Sequence, residues 1–170
     1  MYTRHAIIET ALGALTLAAA DDAVIGLYFP QHWYLPPEGS IGPEVDAGGD
    51  ALLERARVQL GEYLDGARTL FEVPVATNGN PFQEHVWAML MDIPFGETTT
   101  YGALAERLGD KALAQLVGQA VGHNPISIII PCHRVVGSTG KLTGYAGGLE
   151  RKQFLLELEE PALVKAEKLF

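Results

Sequence analysis

The sequence contains a single cysteine, Cys132, so the chain can form no internal disulfide and build no thiolate-rich zinc site. A lone thiol suits a reducing compartment. Long apolar runs are also missing. The opening stretch MYTRHAIIETALGALTLAAA is broken by Glu9, Gly13 and Thr16 and has no basic leader, which argues against a signal peptide or membrane span and for a cytoplasmic protein. Basic residues are scarce: 12 Lys and Arg stand against 21 Asp and Glu, a formal net charge of -9. Phosphate contacts normally come from a basic surface. The deficit is uneven, because residues 1–80 carry four Arg against eleven acids whereas residues 81–154 carry six of each sign. Any contact with a polyanion is therefore expected from the second half, with modest, salt-sensitive affinity. Ligand-spaced histidines are lacking too: His5, His32, His85 and His123 form no cluster, so neither a metal nor another cofactor is expected.

A chain of 170 residues, 48% of them hydrophobic, can bury one sizeable core or two small ones. Residues 5–9, 14–19 and 23–29 are short runs rich in Ile, Val, Leu and Thr, separated by Leu12-Gly13 and Asp21-Asp22, and read as a strand meander. Phe29 to Gly49, with four Pro and four Gly, reads as a long irregular loop. Leu53, Ala56, Leu60, Tyr63 and Leu64 recur at helical spacing, and residues 69–75 return to strand-like alternation. These elements predict an α/β domain over residues 1–75, a linker at 76–81 in the polar stretch ATNGNP, and a mainly helical domain over 82–170.

In the second half Phe82, Val86, Met89 and Leu90 share a helical face that ends at Pro94 and Gly96. A second helix starts after Thr100 as N-cap and stops at Gly109; a third follows Asp110, with Leu113, Leu116, Val117, Ala120 and Val121 turned inward. Two short helices around a Gly-Asp turn make a helix-turn-helix candidate, although the same pattern serves plain core packing. The outer face of the third helix carries Ala112, Gln115, Gly118, Gln119 and Gly122. Small uncharged residues there suit close approach, as into a minor groove.

The most informative run is NPISIIIPCHRVVGSTGKLTGYAGG, residues 124–148. Ile126 to Ile130 read as a strand-like segment ended by Pro131. Cys132, His133 and Arg134 follow, and an imidazole, a guanidinium or a helix N-terminus beside a thiol can lower its pKa toward the nucleophilic thiolate. Adjacent side chains do not meet automatically, so Cys132 and His133 need a turn or a bridging water to cooperate. A lone cysteine beside an apolar run is also an ordinary buried hydrophobe, and Arg134 an ordinary salt-bridge partner.

PCHRV, with Asn124-Pro125 upstream and GYAGG downstream, resembles the active-site region of the O6-alkylguanine-DNA alkyltransferases. The likeness extends to FQEHVW from Phe82, IPFGETTTYGALAERLG from Ile93, the GHNP end of the third helix and KQFLLELE from Lys152, with a weaker match in ETALGALTLAAA. The resemblance implies a ribonuclease H-like α/β N-terminal domain (strand meander plus helix) and a mainly helical C-terminal domain containing a winged helix-turn-helix. It implies a single-turnover methyltransferase in which Cys132 takes the alkyl group from O6-alkylguanine in double-stranded DNA, irreversibly and after base flipping from the minor groove; O4-alkylthymine is left open. His133 would deprotonate Cys132 through a water, Glu159 would orient His133, and Asn124 would tie the helix-turn-helix to the active-site segment. Tyr101, Tyr145 and the backbone of Ala146 would meet the flipped base, with Val135 and Gly147 carried along as pocket residues. Thr100, Ala112, Gln115, Gly118 and Gln119 would face DNA. The chain would act as a monomer, with cooperative binding on DNA left open.

One departure stands out. The family usually carries an arginine two residues before the Val-Gly pair, which enters the base stack; this chain has Gln115, without the charge or the planar fork. Two other readings stay open on the residues alone. One is a non-catalytic sensor of alkylation damage or DNA-binding regulator, the other a cysteine hydrolase using Cys132 and His133 on a small substrate.

Overall fold

The computed structural model describes residues 2–161. Residues 162–170, assigned above to the second domain, lie outside the described residues.

The meander forms as the sequence predicts. Strands β1 (Thr3–Thr10), β2 (Gly13–Ala20) and β3 (Ala23–Tyr28) pair antiparallel in chain order. Period-two alternation, shifted by one residue at a bulge in β3 opposite Ala18 and Ala19, sends Ala6, Ile8, Leu15, Leu17, Val24 and Leu27 to one buried face. Helix α1 (Ala51–Leu64) covers that face with Leu53, Ala56, Leu60 and Tyr63. Each buried leucine contributes roughly 1.5–3 kcal/mol relative to exposure. Asp50 starts α1: its carboxylate accepts from Leu52 N–H at 3.1 Å and Leu53 N–H at 3.0 Å, and also from Arg4 Nε at 2.7 Å. One carboxylate thus caps the helix and ties it to β1. The arginine beside it holds its pKa below the usual carboxylate range.

The expected strand over residues 69–75 does not form. A single parallel bridge joins Val75 to Val24, because Pro74 has no N–H to extend the ladder.

Helix α2 (Pro81–Met91) starts with a reciprocal cap, in which Gln83 N–H donates to Asn80 Oδ1 at 2.8 Å and Asn80 N–H to Gln83 Oε1 at 3.0 Å. The Trp87 indole N–H donates to Ala120 O at 2.8 Å and so fixes α2 against α4 (Ala114–Gly122). Strand β4 (Thr99–Thr100) leads into α3 (Tyr101–Arg107), capped by the Thr100 hydroxyl accepting from Ala103 N–H at 3.0 Å. Gly109, at φ 103°, turns the chain, and a single 3-10 turn, Lys111–Leu113, precedes α4. This is the helix-turn-helix. Val117, Ala120 and Val121 are buried as expected, but Leu116 is 50% exposed. The reason is angular: Leu116 lies about 100° round the helix from Val117, at the edge of the outer face.

Ile126 to Ile130 are a buried turn, not a strand. A single parallel bridge joins Ile126 to Leu27 before the chain turns at Ile128, which sits at φ 71°, and Asn124 braces the turn: Ile126 N–H donates to Asn124 Oδ1 at 3.0 Å and Asn124 Nδ2 to Ile130 O at 2.8 Å. A β-branched residue in that region is strained by about 1–3 kcal/mol. Cys132–Arg134 then form one 3-10 turn, and β5 (Val135–Val136) pairs parallel with β4. That pairing fixes the turn below the start of α3. Helix α5 (Leu149–Glu159) closes the structure, with Lys152, Leu155 and Glu159 buried on one face at i, i+3 and i+7.

Candidate active site

Cys132 is 4% exposed and stands at the floor of a cleft of about 540 Å3. The turn that carries it is held between Asn124 and the β4–β5 pair, so the sulfur's position follows from two buried constraints. Burial pushes the Cys132 pKa up. The Asn124 amide, the Lys152 charge and the Tyr145 hydroxyl oppose that effect without cancelling it. His133, Arg134 and a helix N-terminus, each of which can lower a thiol pKa, are not what acts on Cys132 here. The guanidinium points elsewhere, and a three-residue turn supplies little dipole.

His133 is wholly buried. Its Nε2 lies 2.7 Å from Glu159 Oε2. An ionised carboxylate can only accept, so Nε2 carries the proton and donates, which leaves Nδ1 as the lone-pair nitrogen. Among the described residues no group hydrogen-bonds that Nδ1. Burial lowers the His133 pKa despite the neighbouring carboxylate, which keeps the imidazole neutral.

Glu159 is the most heavily bonded side chain of the site. Arg134 Nε donates to its Oε1 at 2.8 Å and Arg134 Nη2 to its Oε2 at 2.9 Å, while Arg134 Nη1 donates to Ile93 O at 2.5 Å. The Tyr63 hydroxyl donates to the same Oε2 and stands 3.4 Å from His133 Nε2. These donors outweigh burial and hold Glu159 at about 2. Its charge is compensated by Arg134, and its geometry is fixed by three residues from two halves of the chain.

Two participants were not singled out in the sequence. Tyr63 was read only as a core position of α1; its partners are 70 and 96 residues away, and nothing local signals them. Lys152 is wholly buried beside the site, its Nζ donating to Thr143 O at 3.1 Å and lying 5.9 Å from the Tyr101 ring centre. Burial lowers its pKa to about 8, against the pull of Cys132. The signal available was a lysine on the same face as Leu155 and Glu159.

The other expected residues separate clearly. Tyr101, Tyr145 and Ala146 line the cleft with Cys132, and Thr143 Oγ1 donates to the Tyr101 hydroxyl at 3.3 Å. Val135 is wholly buried within β5, and Gly147 packs against the Phe29 ring; neither lines the cleft. Gln115, Gly118 and Gln119 form the α4 side of the cleft mouth. Ala112 is exposed on the turn before α4, and the Thr100 hydroxyl is engaged in capping α3. Among the described residues no group of three or more His, Cys, Asp or Glu is placed to hold a metal ion, and no helix is long and apolar enough to cross a membrane.

The family described as "6-O-methylguanine DNA methyltransferase, DNA binding domain" matches residues 81–161. A methylated-DNA--protein-cysteine methyltransferase of Mycolicibacterium paratuberculosis is 44% identical over 154 residues, covering 89% of each chain. One of the same name from Methanosarcina acetivorans is 40% identical, covering 91% of this chain and 97% of the relative. The crystal structure of Mycobacterium tuberculosis OGT in complex with DNA superposes with a TM-score of 0.81 at 39% identity, covering 95% of this chain and 97% of that one. Likeness of this extent spans both halves of the molecule, and by it the chain belongs to the methylated-DNA--protein-cysteine methyltransferase family.

Proposed function

We propose that the protein repairs DNA by moving an alkyl group from O6 of guanine in a duplex to Cys132, once per molecule. The observation that carries this reading is a buried thiol at the floor of a cleft whose mouth is the outer face of α4, backed by the His133–Glu159 pair. The damaged guanine flips out of the minor groove into the cleft, with Gln115, Gly118 and Gln119 against the duplex. The Cys132 sulfur attacks the alkyl carbon in line; the S–C bond forms, the C–O6 bond breaks, and guanine leaves with the electron pair. The thiol proton passes through a water to His133 Nδ1. Tyr101 and the Ala146 backbone meet charge developing on the base.

Burial favours the neutral thiol, so the proton leaves the sulfur in the course of the transfer, and the thioether that forms is what limits the protein to one turnover. Lys152 supplies a nearby cation for the thiolate as it forms, and Tyr63 holds the carboxylate that orients His133. Residues 1–75 and 82–170 act as two domains joined at 76–81, so Tyr63 lets the first domain support the chemistry of the second. The protein works as a monomer in the cytoplasm, where its thiol stays reduced.

The test is to incubate wild type and Cys132→Ser with a duplex containing one O6-methylguanine and to measure the methyl content of the recovered DNA. The wild type should remove the methyl group and Cys132→Ser should not, while binding the duplex equally. Demethylation by Cys132→Ser would refute the assignment.

A further inference from the structure

Arg151, in the first turn of α5, directs its guanidinium at the main chain. Its Nε donates to Leu12 O at 2.9 Å, and its Nη1 to Gly147 O at 2.9 Å and to Pro30 O at 3.3 Å. The carbonyls come from distant parts of the chain: Leu12 lies between β1 and β2, Pro30 just after β3, and Gly147 next to Ala146 of the cleft wall. A planar fork of five donors can hold several fixed carbonyls at once, which a lysine cannot.

The same loop meets the first domain at two other points. Trp33 N–H donates to Ala146 O at 3.1 Å. The buried Phe29 ring lies so close to Gly147 that a Cβ there would stand 2.3 Å from its Cδ2. That ring also meets the Tyr145 ring at 5.7 Å between centres and 62° between planes, and Arg151 Cζ lies 5.3 Å from its centre. The loop itself is a tight turn, closed by Gly148 N–H donating to Tyr145 O at 2.9 Å. Tyr145, Ala146 and Gly147 are thus gripped by the first domain, while Tyr145 and Ala146 line the cleft with Cys132.

We propose that Arg151 is a positioning residue for alkyl transfer, bracing the Tyr145–Gly147 loop against the first domain so that the Ala146 backbone is in place for the leaving guanine. The inference rests on the reading that Cys132 is the acceptor and that the Ala146 backbone meets charge developing on the base. Arg151 does not line the cleft and acts only through the loop. A donor that meets a developing charge works only when placed beforehand, and a displacement on the order of 1 Å can cost about a hundredfold in rate.

Methyl iodide offers Cys132 the same methyl group on a leaving group that needs no N–H donor. In both reactions the S–C bond forms and the thiol proton goes to His133, but here the C–I bond breaks and iodide leaves with the electron pair. The experiment compares single-turnover methyl transfer from a duplex bearing O6-methylguanine with methylation of the Cys132 peptide by methyl iodide, for wild type, Arg151→Met, Arg151→Lys and Gly147→Ala. Arg151→Met should lower the transfer rate at saturating duplex about tenfold. It should leave the half-saturating duplex concentration within about twofold and react with methyl iodide no slower than wild type. Arg151→Lys should recover only part of the loss. Gly147→Ala, whose Cβ must move the loop off Phe29, should show the same split, and it decides the matter if Arg151→Met does not fold. Equal slowing with both methyl donors, a change confined to the half-saturating concentration, or no change at all overturns the positioning role. Absence of methyl transfer by the wild type would overturn the acceptor reading itself, and the positioning role with it.

Discussion

Replacing Glu159 by Gln keeps the side-chain volume and removes one charge from the most connected point of the site. Oε2 receives Arg134, His133 and Tyr63 at once, and an amide NH2 in that place would present a donor to three donors. The buried Arg134 guanidinium would lose its counter-charge, which costs about 3–5 kcal/mol when a buried pair is broken from one side. The acid linkage gives a similar figure. The displacement of Glu159 from 4.5 to about 2 corresponds to roughly 3 kcal/mol, at about 1.4 kcal/mol per tenfold change in proton affinity. The folded-state value is depressed, so this stability is present above the unfolded pKa and is lost as pH falls through the folded one. Glu159→Gln should therefore be about 3 kcal/mol less stable than wild type at neutral pH, and the gap should narrow as pH drops from about 4.5 toward 2. Urea unfolding at a series of pH values measures it. A gap below about 1 kcal/mol, or one that does not change with pH, would refute the reasoning. Alkyl transfer should also slow by about a hundredfold, because His133 loses the group that fixes its tautomer.

Tyr63→Phe leaves the ring packed and removes one donor from Glu159. The freed carboxylate then attracts a protonated His133 more strongly, so the acid limb of the transfer rate should shift to higher pH; a wild-type profile would show that Tyr63 is only packing. Lys152→Met should slow transfer about tenfold by removing a cation that favours the thiolate. Because burial depresses the Lys152 pKa to about 8, wild type should gain stability as pH rises from about 8 toward 10.5, a gain that Lys152→Met should lack in thermal unfolding. Gln115→Arg should tighten duplex binding and steepen its salt dependence by about 0.9 in log-log slope, while the rate with free O6-benzylguanine stays unchanged; equal salt slopes would place Gln115 away from the phosphates.

The first three strands, α1 and the helix-turn-helix were legible because each buries one face, and one-sided burial prints a period of two or 3.6 on the sequence. Ile126 to Ile130 defeated that reading. A β-branched run buried on all sides has no polar face to mark its conformation, and its turn depends on an Asn124 side chain whose bonds no local pattern reveals. Leu116 fell at the edge of a correctly read stripe. In the site, Cys132 and His133 were visible as neighbours, but His133 and its partner Glu159 are 26 residues apart, and only the family resemblance connected them. Arg134 was legible as an ion-pair partner in general, not as the partner of Glu159. The sequence offered both neighbours that can lower the Cys132 pKa and an apolar run that can bury it, and burial decides the direction.

The central claim, one irreversible transfer to one thiol, is tested most directly by intact-protein mass during titration with a duplex bearing a single O6-methylguanine. The protein should gain one methyl mass, located on the peptide containing Cys132, and gain should stop at one per chain however much DNA is added. Unmodified protein after many equivalents of DNA have been demethylated, or a methyl group on any other residue, would contradict it.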